Sequence, residues 1–311
     1  MDNEDKELRF AISTEDNLKL VIALLNLKVF SKSIKGDFKL TVSHKNFIKM
    51  DTAKGHEGLA DFSLILELME GHPSPKVDWS ALLCKNKIWE IWKDSSGTYT
   101  FFNPHQYPIR EIQINPSFTQ GTVIGQFTKD HNRPEDLLPQ SLEIVLFSNW
   151  LANKGDLILH ASGFMINNEA YAFLGESGAG KSTLIRSLLN QPKVTILGED
   201  QVILRFIQGQ FWIFGTPWHL DPAVCSPLGA LLKGLFFLDR NKPYGLHPIP
   251  PVKAYERILQ TAFIPYYRED ALERILDGIS KLIETVSMHS LSYKLGENLL
   301  EMINADFLIT T

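Results

Sequence analysis

Gly175-Glu176-Ser177-Gly178-Ala179-Gly180-Lys181-Ser182-Thr183 is the stretch on which the reading of this chain turns. It satisfies G-x-x-x-x-G-K-[S/T], and its flanks are those the motif's mechanism requires. The apolar run Ala170–Leu174 before it has strand character, and Leu184, Ile185, Leu188 and Leu189 after it recur on one face of a helix. At average residue usage such a match arises by chance in about one chain in a hundred of this size, before flanking structure is asked for. Glycines let successive backbone N–H groups converge on phosphate oxygens, and a helix start adds about half a positive charge at the same place. In such a loop the lysine, here Lys181, reaches the β- and γ-phosphates, and the Ser182 hydroxyl is the expected ligand of a Mg²⁺ that bridges them. Gly175, Ser177, Gly178, Ala179, Gly180, Lys181, Ser182 and Thr183 are therefore the expected nucleotide-binding residues, with ATP and Mg²⁺ as the expected cofactors.

Working outward, the strand expected at Val194–Leu197 ends in Gly198-Glu199-Asp200, which puts adjacent carboxylates beside the loop. One can hold Mg²⁺, and the other can accept the proton of an attacking hydroxyl. The sequence does not say whether Glu199 or Asp200 takes either role. On the other side, His160 ends the apolar run Leu157-Ile158-Leu159 and precedes Ala161-Ser162-Gly163, whose small side chains leave room for a ligand. A histidine at a strand end is also an ordinary structural residue. Thr216-Pro217-Trp218-His219 can present an imidazole and an indole, or form a turn with a core Trp. Arg205, Arg240 and Arg257 are cations available to a phosphoryl transition state without any pattern that singles one out. Other chemistries lack their spacing: there is no H-E-x-x-H, no C-x-x-C, no G-x-S-x-G, and no H-R-D or D-F-G, and the Gly175-Glu176-Ser177-Gly178-Ala179 string lies inside the phosphate loop.

The remaining chain sorts by its punctuation. Residues 8–50 read as strands with one short helix, GLADFSLILELMEG (58–71) as either strand or amphipathic helix, and KIWEIWKD-Ser95-Ser96-Gly97-TYTFFN as a hairpin. Residues 108–128 continue in strand style, and His131–Pro139 is a polar connector that suggests a boundary. A helix is expected over Gln140–Gly155, hairpins around Asn167-Asn168 and Gly209, and helices over 270–287 and 296–303. Composition agrees with a folded chain: 311 residues are 44% hydrophobic and 22% charged. A net charge of −5 argues against a nucleic-acid binder that works through a basic surface. No apolar run approaches the length of a membrane span, and the acidic N-terminus and two distant cysteines, Cys84 and Cys225, suggest a reducing cytoplasm.

The run Leu159-His160-Ala161-Ser162-Gly163, the loop Gly175–Thr183 and Ile196-Leu197-Gly198-Glu199-Asp200 together resemble the C-terminal catalytic domain of HPr kinase/phosphorylase. More distantly they resemble ATP-dependent phosphoenolpyruvate carboxykinase. The likeness runs from about residue 140 to about 300 and is closest to short HPr-kinase-related proteins, some of which accompany peptide-modification clusters. These have counterparts of Thr216–His219 and of Pro227-Leu228-Gly229-Ala230. The resemblance implies an α/β fold whose P-loop stands on a mixed, partly antiparallel sheet. Here that would be a catalytic domain over 136–311, preceded by a β-rich region over 1–135 that either recognises substrate or extends the sheet.

The same resemblance implies that His160, Glu199 and Asp200, with Lys181, form the phosphoryl-transfer site, and that Ser182, Glu199 and Asp200 attend the metal. Two departures narrow the acceptor. Glu199 stands where the family has Asp, and the Arg-Gly-Leu-Gly-Ile signature is missing, which argues against HPr itself. The reading is thus a cytoplasmic kinase that phosphorylates a hydroxyl, a serine of a peptide or small protein before a small-molecule alcohol. It would act without nucleic acid or membrane, with a homo-oligomer possible by analogy. A nucleotide-binding regulatory module with little or no transfer is the alternative; a structural protein with a degenerate loop is disfavoured because Lys181 and Ser182 are intact.

Overall fold

The computed structural model describes residues 7–12, 18–31, 36–48, 62–72, 81–103, 110–125, 135–136, 140–176, 178–219, 221–294, 296 and 298–308. The chain is a mixed α/β protein dominated by two large mixed sheets with few helices, and it divides into two compact units. The first comprises Met1–Trp150 with Tyr266–Glu269, and the second Leu151–Pro265 with Asp270–Thr311.

The strands of the first unit are β1 (Glu7–Ile12), β2 (Leu18–Ile22), β3 (Leu25–Ser31), β4 (Gly36–Thr41), β5 (Phe62–Glu70) and β6 (Leu82–Lys85). They continue with β7 (Glu90–Lys93), β8 (Tyr99–Phe102), β9 (Arg110–Ile114), β10 (Gln120–Gly125) and β11 (Glu135–Asp136), and helix α1 (Gln140–Ala152) follows. An eight-stranded sheet runs β2-β3-β5-β10-β9-β8-β7-β6, parallel only where β5 meets β3 and β10. The segment that reads either way, 58–71, is strand β5 over Phe62–Glu70. Leu64, Leu66 and Leu68 are fully buried and Ile65 and Glu67 are not, the period of a sheet with one face on the core. The hairpin expected at 87–103 forms as β7–β8; the Asp94 carboxylate accepts from the N–H groups of Ser96 and Thr98, and Gly97 has φ 84°.

Two buried polar contacts tie later residues into this unit. His44 Nε2 lies 3.1 and 3.0 Å from the two carboxylate oxygens of Glu143 on α1. Arg268 donates to the Asn149 carbonyl at 3.0 Å and lays its guanidinium over the rings of Tyr99 and Phe118.

The second unit contains β12 (Leu157–Leu159), β13 (Ala161–Ile166), β14 (Glu169–Leu174), α2 (Lys181–Arg186), β15 (Val194–Gly198), β16 (Val202–Ile207) and β17 (Gln210–Gly215). It continues with β18 (Gly229–Leu238), β19 (Gly245–Pro248), α3 (Pro251–Thr261), α4 (Glu269–Thr285), β20 (Ser287–Ser292) and α5 (Leu299–Leu308). Both expected tight turns have positive φ at both central residues, 52° and 66° at Asn167-Asn168 and 50° and 82° at Gln208-Gly209, as primed turns require. Helix α3 and strands β19 and β20 carry no signal that the sequence reading caught. The helix expected after the glycine-rich loop is short, and turns carry the chain on to Leu188, which is still buried with Leu184 and Ile185.

Nine strands form one sheet ordered β12-β16-β17-β18-β14-β13-β15, to which β20 and then β19 add at β18. β14 lies parallel to β18, and β18 parallel to β20; the other pairings are antiparallel. The middle of this sheet is buried on both faces, so its strands are apolar throughout rather than alternating. On β14, Ala170, Ala172 and Leu174 join a core with Ala254 and Ile258 of α3 and Ala271, Ile275, Ile279 and Leu282 of α4. Tyr171 and Phe173 point the other way, into a core with Leu184 and Ile185 of α2 and Leu299 and Ile303 of α5. Gly155 (φ 73°) permits close approach of the loop after α1 to α4: a Cβ there would meet the Arg274 carbonyl at 2.7 Å.

The strand order places the site. It begins with β12 and β16 and ends with β13 and β15, yet β12 and β13 are separated by His160 alone, and β15 and β16 by Glu199-Asp200-Gln201. The sheet therefore curls back on itself, and the two chain segments that close it are interrupted at His160 and at the acidic pair.

Candidate functional site

β14 delivers the chain into the glycine-rich loop, and α2 takes it away. Gly178 (φ 78°) and Gly180 (φ 102°) occupy the left-handed region, which a side chain disfavours. A Cβ on Gly180 would also stand 3.3 Å from Nη2 of Arg240, the guanidinium that donates to the Gly178 carbonyl at 3.0 Å. The Lys181 side chain is buried and folds back over the loop: Nζ donates to the carbonyls of Gly175 at 2.7 Å and Glu176 at 3.2 Å. Burial lowers the pKa of this ammonium, opposed by the nearby Asp200 carboxylate. Ser182 and Thr183 are exposed on the first turn of α2, and Ser177 lies outside the described residues.

At the closure of the sheet, His160 Nδ1 is 3.1 Å from Asp200 Oδ1. Both side chains are partly exposed, and the His160 backbone N–H is held by the Thr261 carbonyl at 2.7 Å. The two acids of the pair have different surroundings. Both oxygens of Glu199 accept from Arg186, Oε1 from Nε at 2.9 Å and Oε2 from Nη2 at 2.6 Å, the fork-to-fork geometry that Arg supplies and Lys does not. Arg186 also reaches Asp221 at 3.3 Å, and the Glu199 carbonyl accepts from the Ser162 hydroxyl. Glu199 is thus bound at side chain and backbone, whereas the Asp200 carboxylate faces His160 and the field of Lys181.

Behind the acidic turn there is no spare room. A Cβ on Gly198 would come within 2.5 Å of the Gln201 carbonyl and 3.2 Å of His219 Nε2. His219 is buried, with Nε2 3.3 Å from the Thr216 hydroxyl, which donates to the Gln201 carbonyl at 2.9 Å. Burial lowers the His219 pKa despite the surrounding Asp200, Glu199 and Asp221, which keeps the ring neutral at pH 7. The Thr216–His219 segment therefore braces the turn from inside.

Of the three arginines without a pattern, Arg240 touches the loop. Arg205 is buried against Asp156, with Nε donating at 2.9 Å, and Arg257 donates to the Leu238 carbonyl at 3.0 Å over the Phe237 ring. Arg186 is the residue the sequence reading missed. Nothing local marks it, because its partners Glu199 and Asp221 lie across the fold, and only the assumption that α2 meets the acidic turn would have found it.

Among the described residues no three His, Cys, Asp or Glu side chains gather as a metal site. A cation here would need phosphate oxygens as well as Ser182, which is how Mg²⁺ is held in nucleotide sites. The arrangement can bind a polyanion on backbone N–H groups and Lys181, and can take up a proton at a carboxylate steered by an imidazole.

No protein-family model matches the chain, and no curated protein matches it. No described helix is long and apolar enough to cross a membrane.

Proposed function

We propose that the chain is an ATP-dependent, Mg²⁺-assisted phosphotransferase of the HPr-kinase type, in which Gly175–Thr183 is a P-loop and the acceptor is a hydroxyl, a serine of a peptide or small protein. The observation that carries this is the pairing of Asp200 with His160 at 3.1 Å, on the turn whose carboxylate acts electrostatically on Lys181 of the glycine-rich loop. A kinase needs its phosphate cradle and its proton acceptor in one place, and a module that only binds nucleotide does not.

In this reading the backbone N–H groups of Gly178, Gly180 and Lys181 hold the β-phosphate, while that of Ala179 donates to the Glu176 carbonyl at 3.1 Å and shapes the loop, and Lys181 leaves the Gly175 and Glu176 carbonyls to engage the γ-phosphate. The acceptor oxygen attacks the γ-phosphorus, the bond to the β-bridging oxygen breaks, and ADP leaves. The acceptor proton passes to Asp200, whose carboxylate is oriented by His160. Glu199, held by Arg186, fixes the turn that presents Asp200. Ser182 would hold Mg²⁺ together with phosphate oxygens, leaving the Asp200 carboxylate to take the proton, and the ion would neutralise charge on the phosphates.

The test is calorimetric titration with ATP and ADP, with and without Mg²⁺, followed by mass spectrometry of serine-containing peptides encoded beside the gene. Mg²⁺-dependent binding with phosphopeptide formation is the expected result, and Lys181→Ala abolishes both. Binding without transfer to any hydroxyl would instead make the chain a regulatory module.

A further inference from the structure

The face of the eight-stranded sheet opposite its core carries a cavity of about 480 Å³, wholly within the first unit. Strand register builds its floor. Phe30 of β3, Glu67 of β5, Thr122 of β10 and Gln113 of β9 are successive Cα partners, so their side chains stand in one row across four strands. Ile65 and Gln120, paired to each other, belong to the next row. The alternate residues Val29, Leu66, Leu68, Val123 and Ile112 are buried on the opposite face.

The polar groups of this cavity are held in place. Glu111, itself only 3% exposed, accepts from Gln113 Nε2 at 2.7 Å and fixes that amide. The Asn115 side chain accepts from the N–H groups of Thr119 and Gln120 at 2.9 and 3.2 Å and donates to the Thr119 hydroxyl at 2.9 Å. The Thr98 and Ser96 hydroxyls pair at 2.9 Å. Side chains fixed before a ligand arrives lose little entropy on binding it.

The lining selects the ligand. Among the described residues no lysine or arginine lines the cavity and Glu67 does, so an anion is repelled. A single carboxylate is too few for a divalent cation. A purely apolar molecule would desolvate the amides and hydroxyls without giving them partners. A peptide strand has nothing to pair with, because these four strands are interior and their backbone groups are consumed in the ladders on either side. A molecule with adjacent hydroxyls is what remains. A carboxylate or primary amide places two polar atoms in one plane and can bond two neighbouring hydroxyls at once. Phe30 adds a flat apolar surface for the C–H face of a ring. The volume lies within the roughly 300–1,000 Å³ of small-ligand sites.

We infer that this cavity binds a saccharide, with Glu67, Gln113 and Thr122 bonding its hydroxyls and Phe30 packing on its ring. The site belongs to the first unit and does not depend on the phosphotransferase reading.

The probe is an array of immobilised neutral mono- and disaccharides, with a lysine-containing peptide beside them, read with the labelled full chain. Binding to one or a few saccharides is expected, and is measured by calorimetry with the same sugar free in solution. Thr122→Trp fills the cavity with a residue that suits a strand and should abolish binding. Phe30→Ala strips the flat surface and should weaken binding at least tenfold. Phe30→Ala decides the matter if Thr122→Trp does not fold, and an unchanged circular dichroism spectrum separates loss of the site from loss of the fold. Binding of no saccharide, saccharide binding indifferent to Phe30→Ala, or binding of the peptide alone each overturns the inference.

Discussion

His160 Nδ1 stands 3.1 Å from Asp200 Oδ1, and each residue interrupts one of the two chain segments whose pairing closes the nine-stranded sheet. Regular pairing consumes backbone polar groups and aims side chains alternately to two faces. Where both segments break at the same level, side chains are released from that alternation and can converge. The site is thus a consequence of how the sheet curls.

Asp200→Asn keeps the shape of the turn but removes the carboxylate proposed to accept the proton. We expect kcat for phosphoryl transfer to fall by about a hundredfold or more, with nucleotide affinity changed only a few-fold. Rapid-quench turnover and calorimetry on the same preparation separate the two. Full activity in this variant would remove Asp200 from the role proposed for it.

Arg186→Ala releases Glu199 without touching the loop glycines. The pair is roughly half exposed on the Arg186 side, so stability should change by no more than about 1 kcal/mol. Turnover should fall by roughly tenfold to a hundredfold through misplacement of the turn. Arg186→Lys keeps the charge and loses the fork, so it should restore the activity only in part. If kcat is unchanged while the melting temperature drops, Arg186 is structural only.

His219 makes stability depend on pH. Its pKa is lowered in the folded chain, so between the folded value and the ordinary 6.5 the unfolded chain binds a proton that the folded chain does not. Its contribution is therefore fully present above pH 6.5 and is lost as the pH falls through that window. Urea midpoints measured between pH 7.5 and 5.5 should decline less steeply in His219→Asn than in the unaltered chain, and identical slopes would contradict this.

Asp156→Ala leaves the Arg205 guanidinium buried without its carboxylate and frees the Phe206 N–H that Asp156 also accepts. The expected loss is about 3–5 kcal/mol in equilibrium unfolding. Asp156→Ala/Arg205→Met should recover much of it, since exchanging a buried ion pair for apolar volume is often neutral. A loss below about 1 kcal/mol in the single variant would mean that water reaches this pair.

Much of the second unit was legible because its signals are local. The tight turns at Asn167-Asn168 and Gln208-Gly209 and the strand over Val194–Gly198 that leads into Glu199-Asp200 each follow from the conformational preferences of a few adjacent residues. Strand β5 was ambiguous because a short apolar run with period 2 on one face also fits a helical stripe, and only pairing with β3 and β10 decides it. β20, Ser287–Ser292, gave no warning because its polar residues are accommodated by its place beside β18 and β19.

The sequence by itself determined the glycine-rich loop, its lysine and the two acids, since a backbone that needs positive φ and a strand that ends in carboxylates are written in adjacent residues. Only the tertiary structure decided that Glu199 is taken by Arg186 while Asp200 faces His160, and that Arg205 and Arg257 serve the core while Arg240 serves the loop. Those outcomes depend on which strands become neighbours in a curled sheet. Local preference acts over a handful of residues, whereas strand neighbours are chosen by burying both faces of the sheet at once, a condition that belongs to the whole chain.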